Sequence, residues 1–592
     1  MDRVMDSPPS DDRPAGPDAA PDPAPSERAA APVRTRSGSR FGSPPRRPLL
    51  LGLAASLLMV VGGFGAGGVL VHDPVLTNSP LGFWRYGHGS QLAAIMIYSG
   101  VALMAWAWVQ LGRDVLARRV GGRAVLTTAL VWSVPMLFSP PLFTRDVFSY
   151  LAQGGLPLAG FDPYEVGPEV MPGVFTENVH YFWQNTPAPY GPLFILIAKS
   201  VTALVGDNVI LGVVLMRLTM LPGLALLIWA LPELTRRLGG RVPLAMWIAV
   251  ANPVMVIHMI GGGHNDLIVV GMLAAGALIA LRGAPASGIA IVSAAMAVKA
   301  SAGIALPFLV LVWAAQLTGS PRSRLVRGIA YGVGVFVVVF AACTFAAGVS
   351  LGWLPALSAP SMIVNWMSIP TAVGEFLHML TSIFVDVGKQ PFIDVARALG
   401  AILLVWIICR LWWRARDDQP LAVHRAGTAL LLVAVLSPAT LPWYLSWGMA
   451  LLAMVPWSRR GLTAMVFVSL MLIIVYYPNG EDALYNWPYL LGCALVAALA
   501  AVSLYRPDPL RLAAGARSGR TPAAPRPVVG ERGTTAEAQT AARATEPLPA
   551  EQPPSTPDAA DAGPATTAAP PTGTTTSPSP AGASAGAEQR AG

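Results

Sequence analysis

Ten apolar stretches long enough to cross a lipid bilayer interrupt this chain, at 49–71, 92–111, 124–140, 207–231, 243–260, 266–282, 326–349, 395–413, 461–477 and 488–505. About 17–25 apolar residues in a helix span the hydrocarbon core, and every backbone N–H and C=O must be paired within the segment because no water reaches it there. Two further stretches, 286–318 and 425–457, are too long for one helix. The first is broken by Lys299 and Pro307, the second by Ser437-Pro438 and Leu441-Pro442-Trp443-Tyr444. Each divides into two short spans, near 286–301 and 303–318, and near 425–440 and 444–457. The expected fold class is an all-α polytopic membrane protein of about 14 transmembrane helices. Composition agrees, with 54% hydrophobic and 12% charged residues, about half the charged share of soluble domains.

The net charge of +8 reports topology, not nucleic-acid binding, because the arginines gather in short loops between apolar runs. With the N-terminus inside, Arg46-Arg47, Arg118-Arg119-Arg123, Arg236-Arg237-Arg241, Arg322-Arg324-Arg327, Arg410-Arg414-Arg416, Arg459-Arg460 and Arg506-Arg511 all face the cytoplasm. The agreement requires that the half-apolar segment 191–206 does not cross, so it is expected to lie along the outer surface as an interfacial helix. Both termini are then cytoplasmic, in a bacterial cytoplasmic membrane. The tails, 1–47 and 506–592, are rich in Pro, Ala, Gly, Ser and Thr and nearly lack aromatics, a composition that buries too little surface to order itself. The membrane domain between them is 48–505, and its first span begins too deep for a cleaved secretory signal. Cys343, Cys409 and Cys493 each sit in an apolar stretch without metal or disulfide spacing.

This topology places two long segments, 141–206 and 350–394, on the outer face, where long loops on a rigid scaffold carry function. The first opens on Phe143-Thr144-Arg145-Asp146-Val147-Phe148-Ser149-Tyr150. An Arg-Asp pair at the lip of a membrane helix needs water, headgroup or a partner, and reads either as an anchoring ion pair or as a general base beside a cation. Gly261-Gly262-Gly263-His264-Asn265-Asp266 forms an outer turn whose polar side chains need partners in apolar surroundings. Arg145, Arg217, His264 and Lys299 are the candidate cations for a phosphate; Arg217, part-way into a span, is expected to pair with an acidic group. Pro442-Trp443-Tyr444-Leu445-Ser446-Trp447 is a second outer break, whose Trp443, Tyr444 and Trp447 either stack on a substrate or form an interfacial belt. No P-loop appears. No tight carboxylate cluster appears either, so no cofactor or metal is assigned and divalent-metal dependence stays open.

Farther along the loop come Gly160-Phe161-Asp162-Pro163-Tyr164 and Thr186-Pro187-Ala188-Pro189-Tyr190-Gly191-Pro192. In order and spacing these motifs resemble the first extracytoplasmic loop of class C glycosyltransferases, and most closely the actinobacterial polyprenol-phosphate-mannose-dependent α-(1→6)-mannosyltransferases. The resemblance covers roughly 45–505; two extra spans before the loop depart from the simplest class C layout. It implies a donor of polyprenyl-phosphate mannose, an acceptor of lipid-linked mannan in lipomannan or lipoarabinomannan assembly, and Asp146 as general base. Candidate donor-binding residues are Arg145, His264, Asn265, Asp266 and Lys299; candidate substrate-binding residues are Tyr150, Asp162, Tyr164, Tyr190, Trp443 and Tyr444. A phosphate leaving group needs no acid, so one carboxylate suffices for inverting transfer, unlike the pair in glycosidases. An arabinosyl- or glucosyltransferase using another lipid-phosphate sugar, or a flippase for a polyprenyl-linked saccharide, is the alternative.

Overall fold

The computed structural model describes residues 43–509, apart from 69, 70, 72, 78 and 508. The expected disordered tails lie outside these residues except at their inner ends. Arg46-Arg47 open the first helix, α1 (Arg46–Ala66), which pairs along its length with α2 (Gly87–Leu116) and packs on α3 (Gly122–Met136). The chain then runs through α4 (Asp146–Gly155), the single turn α5 (Tyr181–Gln184) and α6 (Pro192–Val205). The last of these has 14 residues, about 21 Å at 1.5 Å per residue, short of the ~30 Å hydrocarbon core. One side of α6 is buried and packs on α4.

A central group follows: α7 (Val209–Arg237), α8 (Val242–Ala249), a π-helix over Val254–Gly261, α9 (Asp266–Leu281), α10 (Pro285–Met296) and α11 (Leu306–Gln316). The α7–α9 crossing is close because two glycines meet there: a Cβ on Gly271 would stand 1.9 Å from the Gly223 carbonyl oxygen. Small residues at such a crossing let backbones touch where no hydrophobic effect drives helices together. The next group comprises α12 (Pro321–Ala347), the turn α13 (Trp353–Ala356), α14 (Ile369–Thr381) and α15 (Gln390–Arg414), of which α12 and α15 are little buried. The chain closes through α16 (Gln419–Leu436), α17 (Leu445–Leu452), α18 (Arg459–Ile474) and α19 (Trp487–Ser503).

The molecule is a polytopic, helical membrane protein; its described residues include no β-strand, only an isolated bridge between Tyr476 and Asp482. Each expected span overlaps a helix among the described residues, but six helices are long and apolar enough to cross alone, α1, α2, α7, α12, α15 and α16. The pair formed by α8 and the π-helix, bent by 49°, makes a seventh if taken as one span. Several remaining segments are short helices ended by Pro or Gly. Segment 243–260, expected as one span, is broken at Asn252-Pro253, where proline removes a donor and crowds the preceding turn.

Candidate functional site

Asp146 owes its position to an unusual backbone. Buried Phe143 has φ +61°, a left-handed conformation that costs a bulky residue and recurs where function requires it. It is fixed because its N–H donates to the Pro478 carbonyl at 2.9 Å. The reversal sets Thr144 Oγ1 to accept the Asp146 N–H at 3.1 Å, and Asp146 begins α4, where the helix dipole favours its charge.

Facing it is the glycine turn between the π-helix and α9. Gly263, at φ +73°, permits the reversal that presents His264. His264 Nδ1 lies 3.4 Å from Asp146 Oδ2, and the imidazole stacks on Trp443 with centroids 3.7 Å apart. Burial pushes the Asp146 carboxyl up, but the proximity of His264, the charge of Lys299 and the Thr144 contact outweigh it, leaving the pKa below the usual aspartate value.

Lys299 emerges at the break between α10 and α11. Its Nζ contacts Asp266 Oδ2 at 2.8 Å and lies 4.9 Å from the Tyr444 ring centroid, 5.6 Å from that of Trp447 and 5.9 Å from that of Tyr190. Wholly buried Asp266 also accepts from Trp447 Nε1 at 2.5 Å. Tyr190 is held against Lys299 by backbone pairing: Gly191 N–H donates to the Val298 carbonyl at 3.1 Å and Leu193 N–H to that of Ala297 at 2.9 Å. A side chain at 191 would not allow this, since its Cβ would meet the Ala297 oxygen at 2.3 Å.

Asp146 stands in the wall between two cavities. The larger, about 360 Å³, carries Lys299, Tyr190, Tyr444 and Trp447 and is otherwise largely apolar. The smaller, about 90 Å³, carries Arg145, His180, Asp482 and Tyr485. Trp183, Leu441 and Trp443 also line both. Arg145 is engaged by the turn at 479–481, donating from Nε to the Asn479 carbonyl at 3.0 Å and pairing with Glu481 at 3.1 Å. Glu481 also lies 3.6 Å from His180 Nε2; burial is the main influence holding the His180 pKa below its ordinary value. Among the described residues no three His, Cys, Asp or Glu side chains gather as a metal site.

The structure thus brings Asp146, His264, Asp266, Lys299, Tyr190, Trp443 and Tyr444 together, with Arg145 on the other side of the wall from Lys299. Tyr150 stands behind the site, edge-on to Tyr190 and Phe194 at 5.2 and 4.9 Å. Asn265 is fully buried, its side-chain oxygen and nitrogen both unpartnered. Asp162 accepts the Tyr164 N–H at 2.9 Å in a local turn, and Tyr164 is buried; neither lines the two cavities. Arg217 meets no acidic group among the described residues. Its guanidinium donates to the carbonyls of Leu137 at 3.0 Å, Ser139 at 2.5 Å and Gly261, clamping the end of α3 to the glycine turn. Sequence reasoning did not single out His180 or Trp183, though the run His180-Tyr181-Phe182-Trp183 in a polar loop was a usable signal.

Comparison with known proteins gives the chain's relatives. Residues 49–315 match the model for the N-terminal domain of α-(1→6)-mannopyranosyltransferases, and residues 370–506 match the MptB C-terminal domain model. α-(1→6)-Mannopyranosyltransferase A of Mycobacterium tuberculosis is 41% identical over 457 residues, 76% of this chain and 89% of that protein. The A enzyme of Corynebacterium glutamicum is 34% identical over 475 residues, 76% of this chain and 96% of its own. The B enzyme of the same organism is 28% identical over 442 residues, 69% of this chain and 73% of its own. No solved structure matches the chain. The chain belongs to the actinobacterial α-(1→6)-mannopyranosyltransferase family.

Proposed function

We propose that this protein is a membrane mannosyltransferase that moves mannose from polyprenyl-phosphate mannose to a hydroxyl of a growing lipid-linked α-(1→6)-mannan, as in lipomannan core assembly, on the extracytoplasmic face. The observation that carries the reading is the position of Asp146 in a wall shared by an apolar, lysine-bearing cavity and a smaller polar one. The first suits a prenyl phosphate and its sugar: apolar walls take the first isoprene units, Lys299 the phosphate, and Tyr190, Tyr444 and Trp443 the sugar faces. The second suits an acceptor sugar, with Arg145, His180 and Asp482 as hydrogen-bonding groups.

In the reaction Asp146 takes the proton of the acceptor hydroxyl as its oxygen attacks the anomeric carbon. The bond from that carbon to the phosphate oxygen breaks on the opposite face, and configuration inverts. The electron pair leaves on the prenyl phosphate, whose added charge meets Lys299. Asp266, itself buried, aims Lys299 and does not compete as a second base. His264 keeps Asp146 ionised and oriented.

The test incubates membranes with radiolabelled polyprenyl-phosphate mannose and a short α-(1→6)-mannoside. Asp146→Asn should lower transfer at least about 100-fold at equal protein level. Full transfer by that variant would remove Asp146 from the chemistry, and labelling only from a lipid-phosphate arabinose or glucose would change the sugar.

A further inference from the structure

A cavity of about 910 Å³ opens at the far end of the same bundle. Leu281, the last residue of α9, lines it, while Asp266 in the Asp146 site is the first, roughly 22 Å away along the helix. Likewise α16 contributes Gln419 and Pro420 here and Val433 to the cavity beside Lys299. The arginine-rich loops assign this end to the cytoplasm.

The charges lining it do not cancel. Arg237 is paired with Glu233 at 2.9 Å, Arg416 with Asp417 at 3.3 Å, and Asp418 caps α16 by accepting the Leu421 N–H at 2.9 Å. Arg322 and Arg324 have no ion-pair partner among the described residues, and Arg324 Nε is buried without an acceptor. The first turns of α12 and α16 both border the cavity, adding the positive ends of two helix dipoles.

Its sides are lipid-facing. α11 packs on α12 and α16, and α15 packs on α16, so α11 and α16 form a floor between α12 and α15. Those two helices are the least buried of the long spans, 6% and 17%. Trp412 and Trp413 stand on the rim, with the Arg416 guanidinium 4.3 Å from the Trp413 ring centroid, as suits headgroup depth. The volume is many times that of one phosphate group and continues onto apolar helix faces.

We propose that this cavity binds an anionic phospholipid, its phosphate on Arg322 and Arg324 and its acyl chains along α12 and α15. Basic pockets between spans recognise phosphorylated headgroups by this combination of charge and apolar flank.

The test uses the full-length protein, purified in neutral detergent, with bound lipid counted by native mass spectrometry as phosphatidylglycerol, phosphatidylcholine or inorganic phosphate is added. Phosphatidylglycerol should bind with saturation, and Arg322→Gln/Arg324→Gln should weaken it tenfold or more. Arg46→Gln/Arg47→Gln, which loses the same charge at exposed positions on α1, should leave binding unchanged. Mannosyl transfer by both double variants in the membrane assay verifies that they are folded. Equal affinity for phosphatidylcholine, equal weakening by both double variants, or binding of inorganic phosphate with no binding of the lipid would each overturn the proposal.

Discussion

At the scale of single residues, burial opposes charge on Asp146 while His264 and Lys299 favour it, and the favourable influences win. A lowered carboxylate pKa keeps Asp146 ionised to a lower pH than an ordinary aspartate. Under the proposed mechanism the acid limb of kcat/KM should therefore lie below the ordinary aspartate value, with rate lost as pH falls through the depressed value. His264→Phe keeps a ring against Trp443 but removes the nitrogen facing Asp146. Burial then acts against less opposition, so the acid limb should move toward neutral pH; an unmoved limb in the pH profile would separate His264 from Asp146. The ion pair behind them needs a double substitution, because removing Lys299 alone strands a buried carboxylate at a cost of about 3–5 kcal/mol. Lys299→Met/Asp266→Asn should express better than Lys299→Met yet transfer at least tenfold more slowly than wild type, as measured in the membrane assay. Asp146 was legible as a chemical group because an acid after Ser139-Pro140-Pro141 stands where an apolar helix has ended. The pairing of Asp266 with Lys299 was not, because thirty-three positions separate them and no local pattern joins the two turns. Asp162 and Tyr164 stand apart: Asp-Pro-Tyr is conspicuous in the sequence, and it folds into a local turn that lines neither cavity.

At the scale of elements, the site depends on two backbone approaches. Gly191 lets Tyr190 reach Lys299, so Gly191→Val should lower transfer tenfold or more while far-ultraviolet circular dichroism stays that of the wild type. Gly271 lets α9 lie on α7, and Gly271→Leu should instead lower thermal stability, by about 1–3 kcal/mol of overpacking, read as an earlier melting transition in detergent. Apolar runs revealed the helices well, because a bilayer demands internally bonded segments. Their lengths were less legible. Pro307 and Pro442 were used to divide long runs, but Pro253 carries the same signal and segment 243–260 was still expected whole. The π-helix that follows Pro253 has no compositional mark. Its consequence is local and functional: it carries the chain into the glycine turn that presents His264.

For the whole molecule, the arginine pattern predicts which end faces the cytoplasm. In a background with Cys343, Cys409 and Cys493 replaced, Glu169→Cys should react with an impermeant maleimide on intact cells, and Arg119→Cys only after lysis. The reverse pattern would turn the molecule over and put Asp146 inside. Sequence revealed the helical membrane class and the Arg-Asp loop, but not its enclosure, because the surroundings of Asp146 draw on 143–146, 180–190, 264–266, 299–304, 357–365, 433–447 and 476–485, seven stretches brought together only by packing. That wall has a kinetic corollary. Under the proposed function, a donor and an acceptor held in the two cavities that Asp146 lines occupy the enzyme at the same time, and initial rates should give intersecting, not parallel, double-reciprocal lines. A spent lipid phosphate can then be exchanged for a fresh one while the polysaccharide stays docked, so several sugars should be added per encounter, seen as long products appearing while most acceptor is still unextended.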